Sequence, residues 1–229
     1  MRNQAAVIIE DHLRIPRGLD SLDRFRDWVH SDDFPEDGRI DYLDGPIEVD
    51  LSPEDLYTHG VVKSAIAGAL HQIVTVCDLG NLFIDCTRVS APAASLSVEP
   101  DIVVVLWSTL DGGRVREVPA RSSKAGRYVE LEGAPDLVVE IVSDGSERKD
   151  LERLPPLYER AGIPELWIVD ARSDRLLFEM KSLDHGRYRL VEASATGWLR
   201  SAVLGLDVRL ERHPGHGGRW RYTLEHAPA

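Results

Sequence analysis

The sequence predicts an α/β fold, a mixed central sheet flanked by helices. Three observations carry that prediction. Two apolar runs, Asp101-Ile-Val-Val-Val-Leu-Trp107 and Leu137-Val-Val-Glu-Ile-Val142, have the unbroken hydrophobicity of strands buried on both faces. A third run, Leu166-Trp-Ile-Val169, follows after a stretch of helical character. Residues 58–76 place Val62, Ile66, Ala69, Leu70, Ile73 and Val76 at spacings of three and four, the stripe of an amphipathic helix.

The remaining elements follow in chain order. Residues 19–30 set Leu22, Phe25, Trp28 and Val29 at helical spacing, and Asp32 to Gly38 is a loop rich in Asp, Pro and Gly. Asp44-Gly45 lies between Ile40, Tyr42, Leu43 and Ile47, Val49, Leu51, a hairpin signal. Leu82–Ile84 is a short strand. After Val142, Asp144 followed by Glu147 resembles a capping box, so a helix should start near Gly145. Pro155-Pro156 should break it, and a second short helix, LYERAG, should close at Gly162. Leu176–Met180, Tyr188–Val191 and Val203–Leu210 are further strands, and the stretch from His213 should be loose.

The chain has 229 residues, 43% hydrophobic and 29% charged, as in a globular protein. One domain is expected over residues 1–212, with a C-terminal tail over 213–229. No apolar run approaches the ~20 residues that span a bilayer, and the N-terminal MRNQAAVIIEDHLRIPR does not have the pattern of a secretory signal. Cys77 and Cys86, nine apart, lack CxxC spacing; one disulfide is the alternative, and two buried, reduced thiols of a cytoplasmic protein are the expectation. The net charge of −12, from 27 Lys plus Arg and 39 Asp plus Glu, disfavours unspecific adhesion to nucleic acid or anionic lipid. A local exception runs from Arg114 through Arg116, Arg121 and Lys124 to Arg127, against the single Glu117. It is the candidate nucleic-acid-binding segment.

Glu140 is the most informative residue. It interrupts an apolar strand, where an ionised carboxylate costs several kcal/mol unless paired, protonated or metal-bound. Asp101 opens the other apolar strand. If the two strands pair, their carboxylates can meet and share a hard cation, with Mg²⁺ or Mn²⁺ suited to oxygen ligands. Lys149 lies early in the following helix. At ~1.5 Å per residue it is roughly 7 Å beyond the helix start, from where it can reach back to hold water or phosphate. His59, at the start of the long helix, can assist water activation or contact phosphate, and Asp41 can add a third carboxylate. No zinc spacing, Walker loop, GxGxxG or GxSxG occurs.

The stretch GAPDLVVEIVSDGSERKDLERLPPLYERAGIPELWIVD, residues 133–170, resembles the core signature of the Uma-two family of restriction endonucleases, within the PD-(D/E)XK nuclease superfamily. The matching positions are Glu140, Ser143, Asp150, Tyr158, Ala161 to Ile163, Trp167 and Asp170. Upstream, Pro100-Asp101 matches the family's Pro-Asp, IDYLDG places Asp41 where the family usually has Glu, and His59 matches a helix-start His. The resemblance spans roughly residues 20–185. It implies a restriction-endonuclease-like fold and Mg²⁺- or Mn²⁺-dependent hydrolysis of DNA phosphodiesters. Asp101 and Glu140 would be metal ligands, in a cytoplasmic protein that is often a homodimer; Lys149, one residue before Asp150, is this sequence's best substitute for the family's lysine, with Arg148 and Arg153 as neighbours. Two departures stand out. The Lys two residues after the Glu is replaced by Val142, and the helix Lys four residues after the Asp is replaced by Leu154. A catalytically weak or inactive nuclease fold that binds nucleic acid or protein is therefore the alternative, and a hydrolase of small phosphoesters a third reading.

Overall fold

The computed structural model describes residues 6–9, 13–35, 38–120 and 126–228. The first part of the chain forms β1 (Ala6–Ile9), β2 (Leu13–Pro16), α1 (Leu22–Val29), β3 (Arg39–Leu43), β4 (Ile47–Asp50) and α2 (Val61–Leu70). The middle forms β5 (Gly80–Ile84), β6 (Arg88–Ala91), β7 (Leu96–Val98), β8 (Ile102–Leu106), α3 (Trp107–Asp111), β9 (Val115–Pro119), β10 (Tyr128–Gly133) and β11 (Leu137–Ile141). The last part forms α4 (Leu154–Ala161), β12 (Glu165–Asp170), β13 (Leu177–Asp184), β14 (Arg187–Leu190), β15 (Leu199–Ser201), β16 (Leu206–Pro214) and β17 (Trp220–Pro228).

Two mixed six-stranded sheets organise the molecule, ordered β14-β13-β12-β11-β8-β5 and β4-β3-β7-β6-β10-β9. In the first, β11 runs parallel to β12 and antiparallel to β8. Alternation along the strands gives that sheet two apolar faces. Ile102, Val104, Leu137, Val139, Ile141, Trp167 and Val169 pack with α2 and the C-terminal strands. Val138, Val142, Leu166 and Ile168 pack on the other face with Leu154, Leu157 and Tyr158 of α4. The α/β class with a mixed sheet and flanking helices is thus observed. The predicted hairpin is observed as well, with Asp44 and Gly45 both at positive φ, as a two-residue primed turn requires.

Several local expectations change. The amphipathic helix is α2 extended by π turns at Leu56–Gly60 and His71–Thr75. Trp107 leaves the apolar strand and opens α3. Asp144 does not cap the next helix; it is exposed and pairs with Arg172, while Ser143 and Ser146 exchange hydrogen bonds at that turn. Pro155-Pro156 does not break the helix. A π turn at Lys149–Arg153 carries the backbone up to the Leu154 N–H, which reaches the Lys149 carbonyl. The prolines then fall in the first turn of α4, where no N–H is needed. The stretch from His213 is not loose. β16 and β17 pair from Leu206↔Pro228 to Pro214↔Trp220, and Tyr222 and Leu224 are buried in the α2-side core. Cys77 and Cys86, expected to be buried, are both free and exposed.

Candidate active site

Glu140 shares the α4-facing side of β11 with Val138 and Val142, because side chains alternate along a strand. The register of β11 with β8 pairs Val139 with Ile102, so one further step brings Glu140 opposite Asp101. The Ile141 N–H donates to Asp101 Oδ2 at 2.7 Å, fixing that carboxylate against the strand end. Both acids are almost wholly buried, Asp101 at 1% and Glu140 at 2% exposure.

Three cations converge on Asp101. Arg39 Nη2 and Lys63 Nζ each lie 3.2 Å from Oδ1, and His59 Nε2 lies 3.4 Å from Oδ2. Local periodicity explains their convergence. Arg39 and Asp41 are two apart on β3 and share a face; His59 and Lys63 are four apart and share a helix face. Burial would raise the Asp101 carboxyl, but His59, Arg39 and Lys63 outweigh it and hold it well below the usual range. His59 Nδ1 sits 3.0 Å from Glu54 Oε2. Burial would lower the imidazole, yet its two carboxylate neighbours raise it to about 9. At neutral pH His59 is an imidazolium clasped between Glu54 and Asp101.

The Glu140 side has too few cations. Burial, then repulsion by Asp150 and Asp101, pushes Glu140 well above the carboxylate range. The Tyr158 hydroxyl donates to its Oε1. Asp150 is raised to about 6, chiefly by burial. Its Oδ2 accepts from the Ser146 hydroxyl, while its buried Oδ1 has no hydrogen-bond partner. Lys149 is buried and its Nζ lies 3.0 Å from Asp41 Oδ2. Burial works against its charge, but Asp41 and Glu140 raise it, so the ammonium persists at neutral pH. Asp41 Oδ1 also accepts the Glu99 N–H. His59, Lys149 and Asp150 all lie in π turns, a rare geometry often found at functional sites.

Arg39, Asp41, Glu54, His59 and Lys149 line a divided cleft, and Asp101, Glu140 and Asp150 are not among its lining residues. One lobe of about 290 Å³ is lined by Arg39, Asp41, Glu48, Arg148 and Lys149. The other, about 540 Å³, is lined by Arg39, Glu54, His59, Asp85 and Cys86. Gly145 lets the cleft walls meet: a Cβ there would come within 2.6 Å of Ser52 Oγ.

Asp101, Glu140 and Asp150 are buried acids that repel one another, and Asp150 Oδ1 has no hydrogen-bond partner, with Lys149 Nζ 4.0 Å from it. Among the described residues, the group that could hold a metal ion is Glu54, His59 and Asp101, with one ligand atom from each lying within 4.8 Å of the others. There, however, both imidazole nitrogens already face carboxylates.

The model of the Uma2 family, described as "Putative restriction endonuclease", matches residues 22–213. The chain belongs to the Uma2 family. A crystal structure from Anabaena variabilis, described as a "putative nuclease belonging to DUF820", resembles it with a TM-score of 0.58 at 16% identity. The similarity covers 80% of this chain and 90% of that one, and shows a shared fold. No curated protein matches.

In this Uma2 chain the fold gathers Asp41, His59, Asp101, Glu140 and Lys149 around one buried centre. The basic segment lies elsewhere, on the β9–β10 hairpin at the sheet edge opposite β4. There Arg114 is paired with Asp136, Arg116 with Glu132, and Arg127 is exposed. Arg121 and Lys124 lie outside the described residues. Arg39, Glu54 and Lys63 are site members that sequence reading passed over, and Asp150 and Tyr158 entered it only as family positions. The signals were spacing: Arg39 two before Asp41, and Lys63 four after His59 on the otherwise apolar α2. Among the described residues, no helix is long and apolar enough to cross a membrane.

Proposed function

We propose that this Uma2 chain is a nuclease that hydrolyses DNA phosphodiesters with Mg²⁺ or Mn²⁺ held by Asp101 and Glu140, assisted by Asp150. The observation that carries the reading is the buried acid pair: burial and neighbouring carboxylates raise Glu140 and Asp150, and Asp150 Oδ1 has no hydrogen-bond partner, with Lys149 Nζ 4.0 Å away. The cation would supply positive charge that polarises a phosphodiester and makes water more acidic. The protein's own groups do the rest. Lys149, held protonated beside Asp41, offers N–H donors and charge to a phosphoryl oxygen; it is no proton acceptor at neutral pH. His59 likewise acts as a donor below pH about 9, orienting Asp101 and Glu54. The Tyr158 hydroxyl fixes the Glu140 rotamer. Arg127, exposed and without a carboxylate partner among the described residues, extends the nucleic-acid contact along the β9–β10 edge. A cytoplasmic homodimer is the assembly that the family resemblance implies.

One observation favours a second reading, a binding module without cleavage. Arg39, Lys63 and Lys149 are all engaged by carboxylates, which leaves no free lysine beside Glu140 among the described residues. Plasmid cleavage with Mg²⁺ or Mn²⁺ separates the two. We expect nicking that a chelator stops and that Glu140→Gln abolishes. Wild-type rates in Glu140→Gln would overturn the site, and absent cleavage with no calorimetric metal binding would select the binding module.

A further inference from the structure

The C-terminal hairpin carries positive charge that the rest of the acidic chain does not neutralise. Around its turn stand Arg212, His213, His216, Arg219 and Arg221, with Glu211 the nearby acid in the sequence. Glu211 is engaged by Arg209 and His213. Among the described residues, Arg212, Arg219 and Arg221 have no carboxylate partner. The Arg212 guanidinium donates to the Ser173 and Asp174 carbonyls and lies 4.5 Å from the Trp220 ring centroid. Trp220 nevertheless keeps 39% of its surface exposed, although a tryptophan left in water forfeits its burial free energy.

This surface adjoins the candidate site. The Arg219 guanidinium stacks 5.2 Å from the Tyr57 centroid, and Tyr57 belongs to the same π turn as His59. Asp55, which caps that turn, is occupied by the N–H groups of Tyr57 and Thr58. On the other side, Ser173 and Asp174, which anchor Arg212, follow Arg172, a wall residue of the small cavity that also contains His59. The family match ends at residue 213, so Arg219, Trp220 and Arg221 lie beyond it.

We propose that the turn between β16 and β17 is a nucleic-acid contact that guides a strand toward the cleft. Arg219 and Arg221 would bind backbone phosphates and Trp220 would stack an unpaired base. Exposed arginines alternating with an exposed indole fit this partner, because phosphate takes the charge and every base has a π-face. An acidic polypeptide would use the arginines and leave the indole without a role. The inference rests on the reading that the substrate is nucleic acid.

Binding is tested apart from cleavage, by fluorescence anisotropy of a labelled single-stranded oligonucleotide with the full chain in chelator. Arg219→Gln/Arg221→Gln should weaken binding about tenfold and lower the salt slope by about 1.4, two single-strand phosphate contacts. Trp220→Leu should weaken binding at least ~5-fold, and Trp220→Phe should restore most of it. The arginine pair is exposed, so the double variant tests the proposal even if Trp220→Leu fails to fold. Wild-type binding that is unchanged in the double variant overturns this proposal and leaves the nucleic-acid reading standing. No wild-type binding at low salt overturns both. Competition by polyglutamate as effective as by unlabelled oligonucleotide would also overturn it.

Discussion

Lys149 Nζ lies 3.0 Å from Asp41 Oδ2 although the two residues are 108 apart in sequence, and both are buried. The contact ties the β3–β4 hairpin to the π turn after β11. Lys149 also interacts with Glu140 electrostatically, while its hydrogen-bond partner is a carboxylate on the other sheet.

Breaking such a pair from one side strands a buried charge, at a cost of about 3–5 kcal/mol. Asp41→Asn should therefore lower the denaturation free energy by about 3 kcal/mol. Asp41→Asn/Lys149→Met should lose less than the sum of the single variants, as measured by urea unfolding. Strict additivity would show that the pair is not energetically coupled.

Glu140→Gln should behave in the opposite way. Burial and the neighbouring acids disfavour the ionised Glu140, and a glutamine oxygen still accepts from Tyr158. Without divalent cation, the thermal midpoint at neutral pH should equal or exceed that of the wild type. With saturating Mg²⁺, the wild type should gain stability that the variant does not, about 2.7 kcal/mol at a hundredfold excess over Kd. A variant that is less stable than wild type in chelator would contradict the buried-acid account.

Stability at low pH should depend on Asp170. Arg172 hydrogen-bonds its carboxylate and holds it below the usual range. The unfolded chain then takes up the proton first, so this contribution is present above about pH 4 and fades as pH falls through the lower folded value. Asp170→Asn should flatten the acid limb of a urea-midpoint profile. Parallel wild-type and variant profiles below about pH 4 would exclude the linkage.

Both thiols should react with a disulfide reagent in the native state, since Cys77 and Cys86 are exposed and free. Reaction of both without denaturant is the expected result. Protection of either until unfolding would place it in the interior.

Much of this architecture was legible because it depends on local pattern. The runs around Asp101 and Glu140 are unbroken enough to mark buried strands, and an acid inside one of them marks a place that needs compensation. Asp44-Gly45 announced its turn through the positive φ that both positions adopt. What stayed hidden was the partner of each charge. Nothing near Lys63 indicates that it meets Asp101, because that contact depends on how α2 lies across the sheet. The C-terminal hairpin was missed for another reason. Its turn is rich in Gly and Pro, and only Tyr222 and Leu224 mark the buried side of β17. The exposed cysteines follow from placement, since neither sits within a helix stripe or strand core.

The charged centre draws Arg39 and Asp41, His59 and Lys63, Asp101, Glu140 and Asp150 from widely separated stretches of the chain. A polypeptide still emerging from the ribosome thus has no working centre until the π turn after β11 has been made and has docked. Any hydrolytic power that the protein holds switches on only with completion of its tertiary structure.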